Sequence, residues 1–241
     1  MTSATDTNLK RVCVSSALLT LMTACGGGGG DAGSPAPPPP AAQACVPSPP
    51  PPAPAPGALP PQVTLTVSNG ANVNGSIVIT LEPTLTPLTV ANFLGYVNAG
   101  FYNCTVFHRH GRTDALGPFV LQGGGYTAPV TSATRFPAPK TTRAPIALER
   151  GLSNLRYTVA MARTGVLNSA TSEFFFNTVD NVFLDTAQGG YAAFGTVVTG
   201  TTVVNAMVAA TCNPSPSNFA LSSPDCVPEP NLVITSAAQT R

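Results

Sequence analysis

The chain has 241 residues, of which 43% are hydrophobic and only 9% charged. That balance excludes a charge-rich disordered protein. Eleven basic residues against ten acidic ones give a net charge of +1, and no Lys/Arg block exists, which argues against nucleic acid as a partner.

Residues 1–24 read as a secretory signal. Lys10 and Arg11 precede an apolar run over 12–24. A helix that spans a bilayer needs about 20 apolar residues, and this run is shorter. Its ending, Leu21-Met22-Thr23-Ala24-Cys25, resembles a bacterial lipobox, in which cleavage before the cysteine leaves Cys25 to carry the lipid. Met22 stands where leucine is usual. The alternative is an ordinary secretory signal followed by a chance cysteine. Residues 25–61 read as the lipid-bearing cysteine and a linker, because 26–30 are all glycine and 14 of the 26 prolines fall between 35 and 61. Such a segment joins neither helix nor sheet, and its proline-rich part extends at about 3.1 Å per residue. The glycine run lacks a following Lys-Ser/Thr, so it is no phosphate loop.

From Gln62 the pattern becomes that of a folded domain, 62–241. Val63, Leu65 and Val67 alternate with polar residues, as do residues 76–81, with Asn-Gly turn pairs between them; this predicts a hairpin. Thr86-Pro87 predicts a helix start with Thr86 as cap. Val90, Phe93, Leu94 and Val97 follow at helical spacing, and Gly100 is placed to end the helix. Residues 101–127 read as two short strands around a surface loop at 110–117, and 128–144 as a Thr/Pro/Ala-rich loop. Short strands are predicted at 146–148, 157–162, 173–177, 192–198 and 231–235. A second helix is predicted over 201–210, with Val204, Met207 and Val208 inward. Many short strands with two short helices predict a closed or nearly closed β-barrel.

Two segments carry the chemistry. The first, FYNCTVFHRHGRTDALGPFVLQGGGYT over 101–127, holds both histidines around Arg109, then Phe119 and Gln122 ahead of three glycines. The second is YTVAMARTGVLNSATSEFF over 157–175. In this order they resemble the two signatures of the cyclophilin-type peptidyl-prolyl cis-trans isomerases, and the resemblance runs over about 62–238. It implies an eight-stranded antiparallel barrel capped by two helices. It also implies a catalyst of X-Pro rotation that needs neither metal nor cofactor. By motif position, Arg109 corresponds to the catalytic arginine. Phe119, Val120, Gln122, Ala162, Arg163, Glu173, Phe175, Phe183, Leu184 and Tyr191 correspond to the residues that line the peptide site. Three departures stand out. Glu173 replaces the usual glutamine, and is expected either to pair with Arg109 or to face solvent. HGRTDALGP makes a longer spacer between Arg109 and Phe119 than is usual. Tyr157 occupies a place where glycine or another small residue is common.

Beyond the signal and Cys25, four cysteines remain, an even number that favours disulfides in an exported chain. Four cysteines allow three pairings. Cys212 and Cys226 bracket a proline-rich loop and are the expected pair, with Cys45–Cys104 as the possible second. His108 and His110 have the two-residue spacing of a strand chelate, but the chain has no other histidine and no C-x-x-C, so no metal is expected. Ser169 and Ser172 are in no G-x-S-x-G elbow. The triple glycine reads as a bulge or a close backbone approach rather than an anion nest. The expectation is therefore a monomeric prolyl isomerase that acts on proline-containing exported polypeptides. It would be lipid-anchored in a bacterial envelope and face the periplasm, with Gly26 after Cys25 favouring the outer membrane. The alternative is a catalytically weak module that binds unfolded or proline-containing segments.

Overall fold

A computed structural model describes residues 59–113, 117–130, 139–214 and 224–241. The expected signal, the lipidated Cys25, most of the linker and Cys45 lie outside the described residues.

Among the described residues ten strands and two α-helices follow one another. β1 (Gln62–Ser68) and β2 (Asn74–Leu81) form the first hairpin. Asn69 closes its turn, since its Oδ1 accepts from the N–H groups of Ala71 and Val73. Then come α1 (Pro87–Asn98), β3 (Thr105–Thr113), β4 (Gly117–Thr127), β5 (Thr158–Met161) and β6 (Phe174–Asn177). β7 (Ala193–Thr199), α2 (Thr201–Val208), β8 (Cys212–Pro214), β9 (Cys226–Pro228) and β10 (Leu232–Gln239) complete the chain.

The sheet order is β10-β1-β2-β7-β5-β6-β4-β3, and β3 pairs back onto β10 through Leu232↔Phe107 and Ile234↔Thr105. The expected closed eight-stranded antiparallel barrel with two helices is what the chain forms. Closure leaves no open sheet edge within the barrel. β8 and β9 are a short ribbon outside it, attached to β3 by the pairing His110↔Cys226.

Successive strand residues point to opposite faces, so every second side chain enters the barrel. Leu65, Ile77, Ile79, Phe107, Leu121, Val159, Phe174, Phe176, Phe194 and Ile234 are fully buried there. Phe93 of α1 meets Phe174 edge-on, with ring centroids 5.4 Å apart, and so docks the helix on the barrel. Val90 and Val97 share that face, and α2 buries Val204 and Met207, with Val208 only half-buried. Among the described residues no helix is long and apolar enough to cross a membrane.

Three local expectations are corrected. Thr86 does not cap α1 with its side chain; its hydroxyl donates to the Glu82 carbonyl instead. The free N–H groups of the first turn are taken by the Glu149 carboxylate, which accepts from Leu88 N at 3.0 Å and Thr89 N at 2.8 Å. The run 146–148 is no strand, because only Ile146 pairs, with Ala170. Most of the expected 110–117 loop is strand: β3 continues to Thr113 and β4 starts at Gly117, so the extra residues lengthen a hairpin. Residues 114–116 lie outside the described residues. The helix end at Gly100 is as expected, with φ +65° and its N–H bonded to the Val97 carbonyl.

Candidate active site

Cross-strand register sets one row of side chains side by side on the outer face of the barrel. Arg109 is opposite Gln122, Gln122 opposite Phe175, Phe175 opposite Ala160, and Ala160 opposite Ala193. Their neighbours in sequence, such as Leu121, Phe176 and Val159, point the other way into the core. Period two therefore separates Phe175 from Phe174 and Phe176.

Around Phe175 lies a second apolar cluster, distinct from the barrel core. Val120, Ala160, Phe175, Leu184 and Ala193 are its buried members, and Phe119, Ala162 and Tyr191 pack against it. Phe183 stands at the rim, 46% exposed, with its ring centroid 6.0 Å from that of Phe119. Tyr191 meets Phe175 edge-on at 5.9 Å. The segment that carries Phe183 and Leu184 is tied to β4 by backbone and amide bonds. Asn181 Nδ2 donates to the Phe119 carbonyl at 2.7 Å and to Asn177 Oδ1 at 2.8 Å. Thr178 N–H also donates to the Phe119 carbonyl, at 3.0 Å. The buried Asn177–Asn181 pair was not anticipated from the sequence, where Asn177 is only the end of a predicted strand and Asn181 lies outside any predicted element.

Arg163 is placed next to this cluster, but its donors are largely committed. Nε and Nη2 donate to the Gly190 carbonyl, Nη2 also to the Gln188 carbonyl, and Nη1 to the Thr164 carbonyl. Its guanidinium lies 4.6 Å from the Tyr191 ring centroid. The side chain holds the 188–191 turn against the socket.

A polar chain borders the apolar socket. Arg109 Nη1 donates to Gln122 Oε1 at 2.9 Å, and Gln122 Nε2 donates to Glu173 Oε2 at 2.7 Å. Glu173 Oε2 is also 3.4 Å from His108 Nε2. Glu173 thus neither pairs directly with Arg109 nor faces open solvent, in contrast to both expectations, because Gln122 stands between the two charges. Burial raises the Glu173 pKa, but hydrogen bonding and charge from His108, then Gln122 and Arg109, outweigh it and leave it below the ordinary value. The carboxylate fixes which end of the Gln122 amide faces Arg109: the oxygen. On its other side Arg109 Nε donates to Asp225 Oδ2 at 2.7 Å. Nη2 has no hydrogen-bond partner among the described residues.

Glycines make room for this arrangement. A Cβ at Gly111 would come within 3.3 Å of the Arg109 guanidinium, and one at Gly125 within 2.4 Å of the Glu173 carboxylate. The triple glycine is the close approach and bulge expected of it: the β3–β4 register shifts between Thr105↔Thr127 and Phe107↔Gly123, and Gly124 has φ +87°. Tyr157 has φ +68°, a left-handed conformation that favours glycine. Its hydroxyl reaches Asn205 Oδ1 at 3.1 Å.

Cys212 and Cys226 form a disulfide with a sequence separation of 14, as expected. Cys104 is disulfide-bonded too, while its expected partner Cys45 lies outside the described residues. The Cys212–Cys226 sulfurs lie beside the His110 ring. They are bonded to each other, so they offer no thiolate ligands.

Comparison with known proteins agrees with the geometry. The family profile described as cyclophilin type peptidyl-prolyl cis-trans isomerase/CLD matches residues 63–238. Peptidyl-prolyl cis-trans isomerase A of Dickeya dadantii is 43% identical over 133 residues, a match that covers 54% of this chain and 65% of that protein. Peptidyl-prolyl cis-trans isomerase B of Escherichia coli is 43% identical over 139 residues, covering 55% of this chain and 77% of that one. Peptidyl-prolyl cis-trans isomerase cyp18 of Streptomyces antibioticus is 45% identical over 140 residues, again with 55% and 77% coverage. The chain thus spans just under two thirds of the Dickeya protein and about three quarters of the other two. A crystal structure of a cyclophilin type peptidyl-prolyl cis-trans isomerase from Cryptosporidium parvum superposes with a TM-score of 0.53 at 18% identity, over 75% of this chain and 98% of that one.

Proposed function

Because the chain belongs to the cyclophilin-type peptidyl-prolyl cis-trans isomerases, we propose that it accelerates cis–trans rotation of X-Pro bonds in exported polypeptides. Unaided, that rotation crosses a barrier of about 20 kcal/mol and takes tens of seconds or more. Rotation breaks amide resonance and leaves a lone pair on the imide nitrogen. A catalyst needs only interactions that strengthen as the bond twists. The socket of Phe119, Val120, Phe175 and Leu184 accepts the proline ring. Arg109 donates to the twisting imide and to the proline carbonyl. Gln122 and the backbone around Ala162 hold the flanking chain. No covalent intermediate is formed.

The observation that carries this reading is the row Arg109–Gln122–Phe175. It places a tethered guanidinium, whose Nη2 has no hydrogen-bond partner among the described residues, beside an apolar socket on the outside of the barrel. The test is the cis-to-trans conversion of a short Ala-Pro peptide by the purified chain. A rate clearly above the uncatalysed one is expected. Peptide binding without acceleration would instead establish the binding-module reading.

The same proposal places the domain at the cell envelope, as a monomer on a lipid at Cys25 with 26–61 as spacer. Support comes from the lipobox-like ending and from the Cys212–Cys226 disulfide, which fits an oxidising compartment. Cys25→Ser should release the protein from membrane pellets. Sedimentation that persists through a salt wash in detergent-free buffer would rule this placement out.

A further inference from the structure

The barrel alone does not hold Arg109. β8 and β9 lie outside it, closed by the Cys212–Cys226 disulfide and joined to β3 through His110↔Cys226. Asp225, immediately before Cys226, is carried by this ribbon to the Arg109 side of the site. It is 6% exposed, and each of its carboxylate oxygens has a donor. Oδ2 accepts from Arg109 Nε at 2.7 Å, and Oδ1 accepts from the backbone N–H of Arg112 at 2.8 Å.

We propose that Asp225 is the positioning residue of Arg109, supplied to the catalytic face by the disulfide-closed ribbon. The inference rests on the isomerase reading above. An arginine side chain is long and free to rotate, and a donor that must find its aim after substrate arrives is a poor electrostatic catalyst. Gln122 holds one terminal nitrogen, but a neutral amide oxygen makes a weaker bond than a carboxylate. With Asp225 on Nε and Gln122 on Nη1, two points of the planar fork are fixed and the plane is set. The bond to Arg112 N–H fixes the carboxylate itself against the β3 backbone two residues beyond Arg109's neighbour His110. Gly111, between Arg109 and Arg112, leaves the space in which the guanidinium lies.

Two effects of the carboxylate oppose each other. It orders Arg109, and it also partly neutralises the charge that stabilises the twisted imide. Nη2 shares an edge of the fork with the paired Nε–H, and the plane that Asp225 and Gln122 set together is what aims it, so ordering is the larger effect and removal of the carboxylate slows the reaction.

The test compares the wild-type chain with Asp225→Asn and Asp225→Glu on one X-Pro peptide, with circular dichroism to confirm the fold. Asp225→Asn should lower kcat/KM about 10-fold, mostly in kcat, with KM changed less than about 2-fold, as for an interaction used in the transition state. Asp225→Glu, which keeps the charge, should recover to within about 3-fold of wild type. A second measurement needs no variant to fold: in the wild-type protein the Arg109 Nε–H resonance should exchange with water much more slowly than that of an exposed arginine. Unchanged or raised kcat/KM in Asp225→Asn overturns the positioning role, as does fast exchange at Arg109 Nε–H. A loss as large in Asp225→Glu as in Asp225→Asn overturns it too. An inactive wild type would remove the isomerase reading itself, and the positioning role with it, before any variant is compared.

Discussion

His110 is the residue whose environment departs furthest from its chemistry. It is 1% exposed, and neither ring nitrogen has a hydrogen-bond partner among the described residues. Burial first, then the positive charge of Arg112, pushes its pKa down to about 4, and the nearby Asp225 only partly offsets this. The folded protein therefore keeps His110 neutral while the unfolded chain takes up its proton near pH 6.5. A depressed pKa gives stability that is complete above 6.5 and is lost as pH falls towards about 4. The slope is at most about 1.4 kcal/mol per pH unit, so the loss across that window is of the order of 3 kcal/mol. Glu173 acts lower still: its lowered pKa confines its own loss to pH below the ordinary glutamate range. Urea unfolding between pH 6.5 and 4 should show the midpoint falling in the wild type and much flatter in His110→Leu. An equal slope in both proteins would mean that His110 is not the group responsible.

At the scale of elements, α1 depends on a residue far from it in sequence. Glu149 satisfies two of the helix's first N–H groups and also accepts from the Thr89 hydroxyl at 2.8 Å. A carboxylate there also complements the positive end of the helix. Glu149→Ala should destabilise the domain by about 1–2 kcal/mol, the range of a lost cap, with Glu149→Gln in between. Urea midpoints measure both; an Ala variant as stable as wild type would return the capping role to solvent. This pairing also shows what the sequence could and could not reveal. α1, α2 and the strands were legible because apolar residues repeat at 3.6 or 2. The Glu149 cap was not, because its partner lies 60 residues away and local rules favour Thr86. The three residues 146–148 were too few for alternation to mean a strand. The β8–β9 ribbon was legible only as a disulfide, because its strands are three residues each.

For the whole molecule, the barrel has a core inside and a second apolar cluster outside, and the proposed working face is the outer one. Two motifs in the sequence hold most of the residues gathered there, since strand register turns Arg109, Gln122 and Phe175 into lateral neighbours. Asp225 escaped notice because nothing in its local sequence distinguishes an acid that faces Arg109 from one in a solvated turn. Glu173 was singled out, but its partner was misjudged, since the intervening Gln122 depends on the pairing of β4 with β6. The extra residues after Arg109 include a second arginine, Arg112, and the hairpin separates the two. Arg109 is held through its side chain at Nε and Nη1. Arg112 contributes to the site through its backbone N–H, which truncation of the side chain leaves in place.

The most direct test is therefore kcat/KM for Arg109→Ala and Arg112→Ala on one X-Pro peptide, with circular dichroism as the folding control. Loss of an aimed donor typically costs about 2.7–4 kcal/mol, so Arg109→Ala should fall by about 10²–10³-fold. Arg112→Ala should change by less than about 5-fold. A folded Arg109→Ala that retains wild-type activity, or an Arg112→Ala that loses it, would contradict the account.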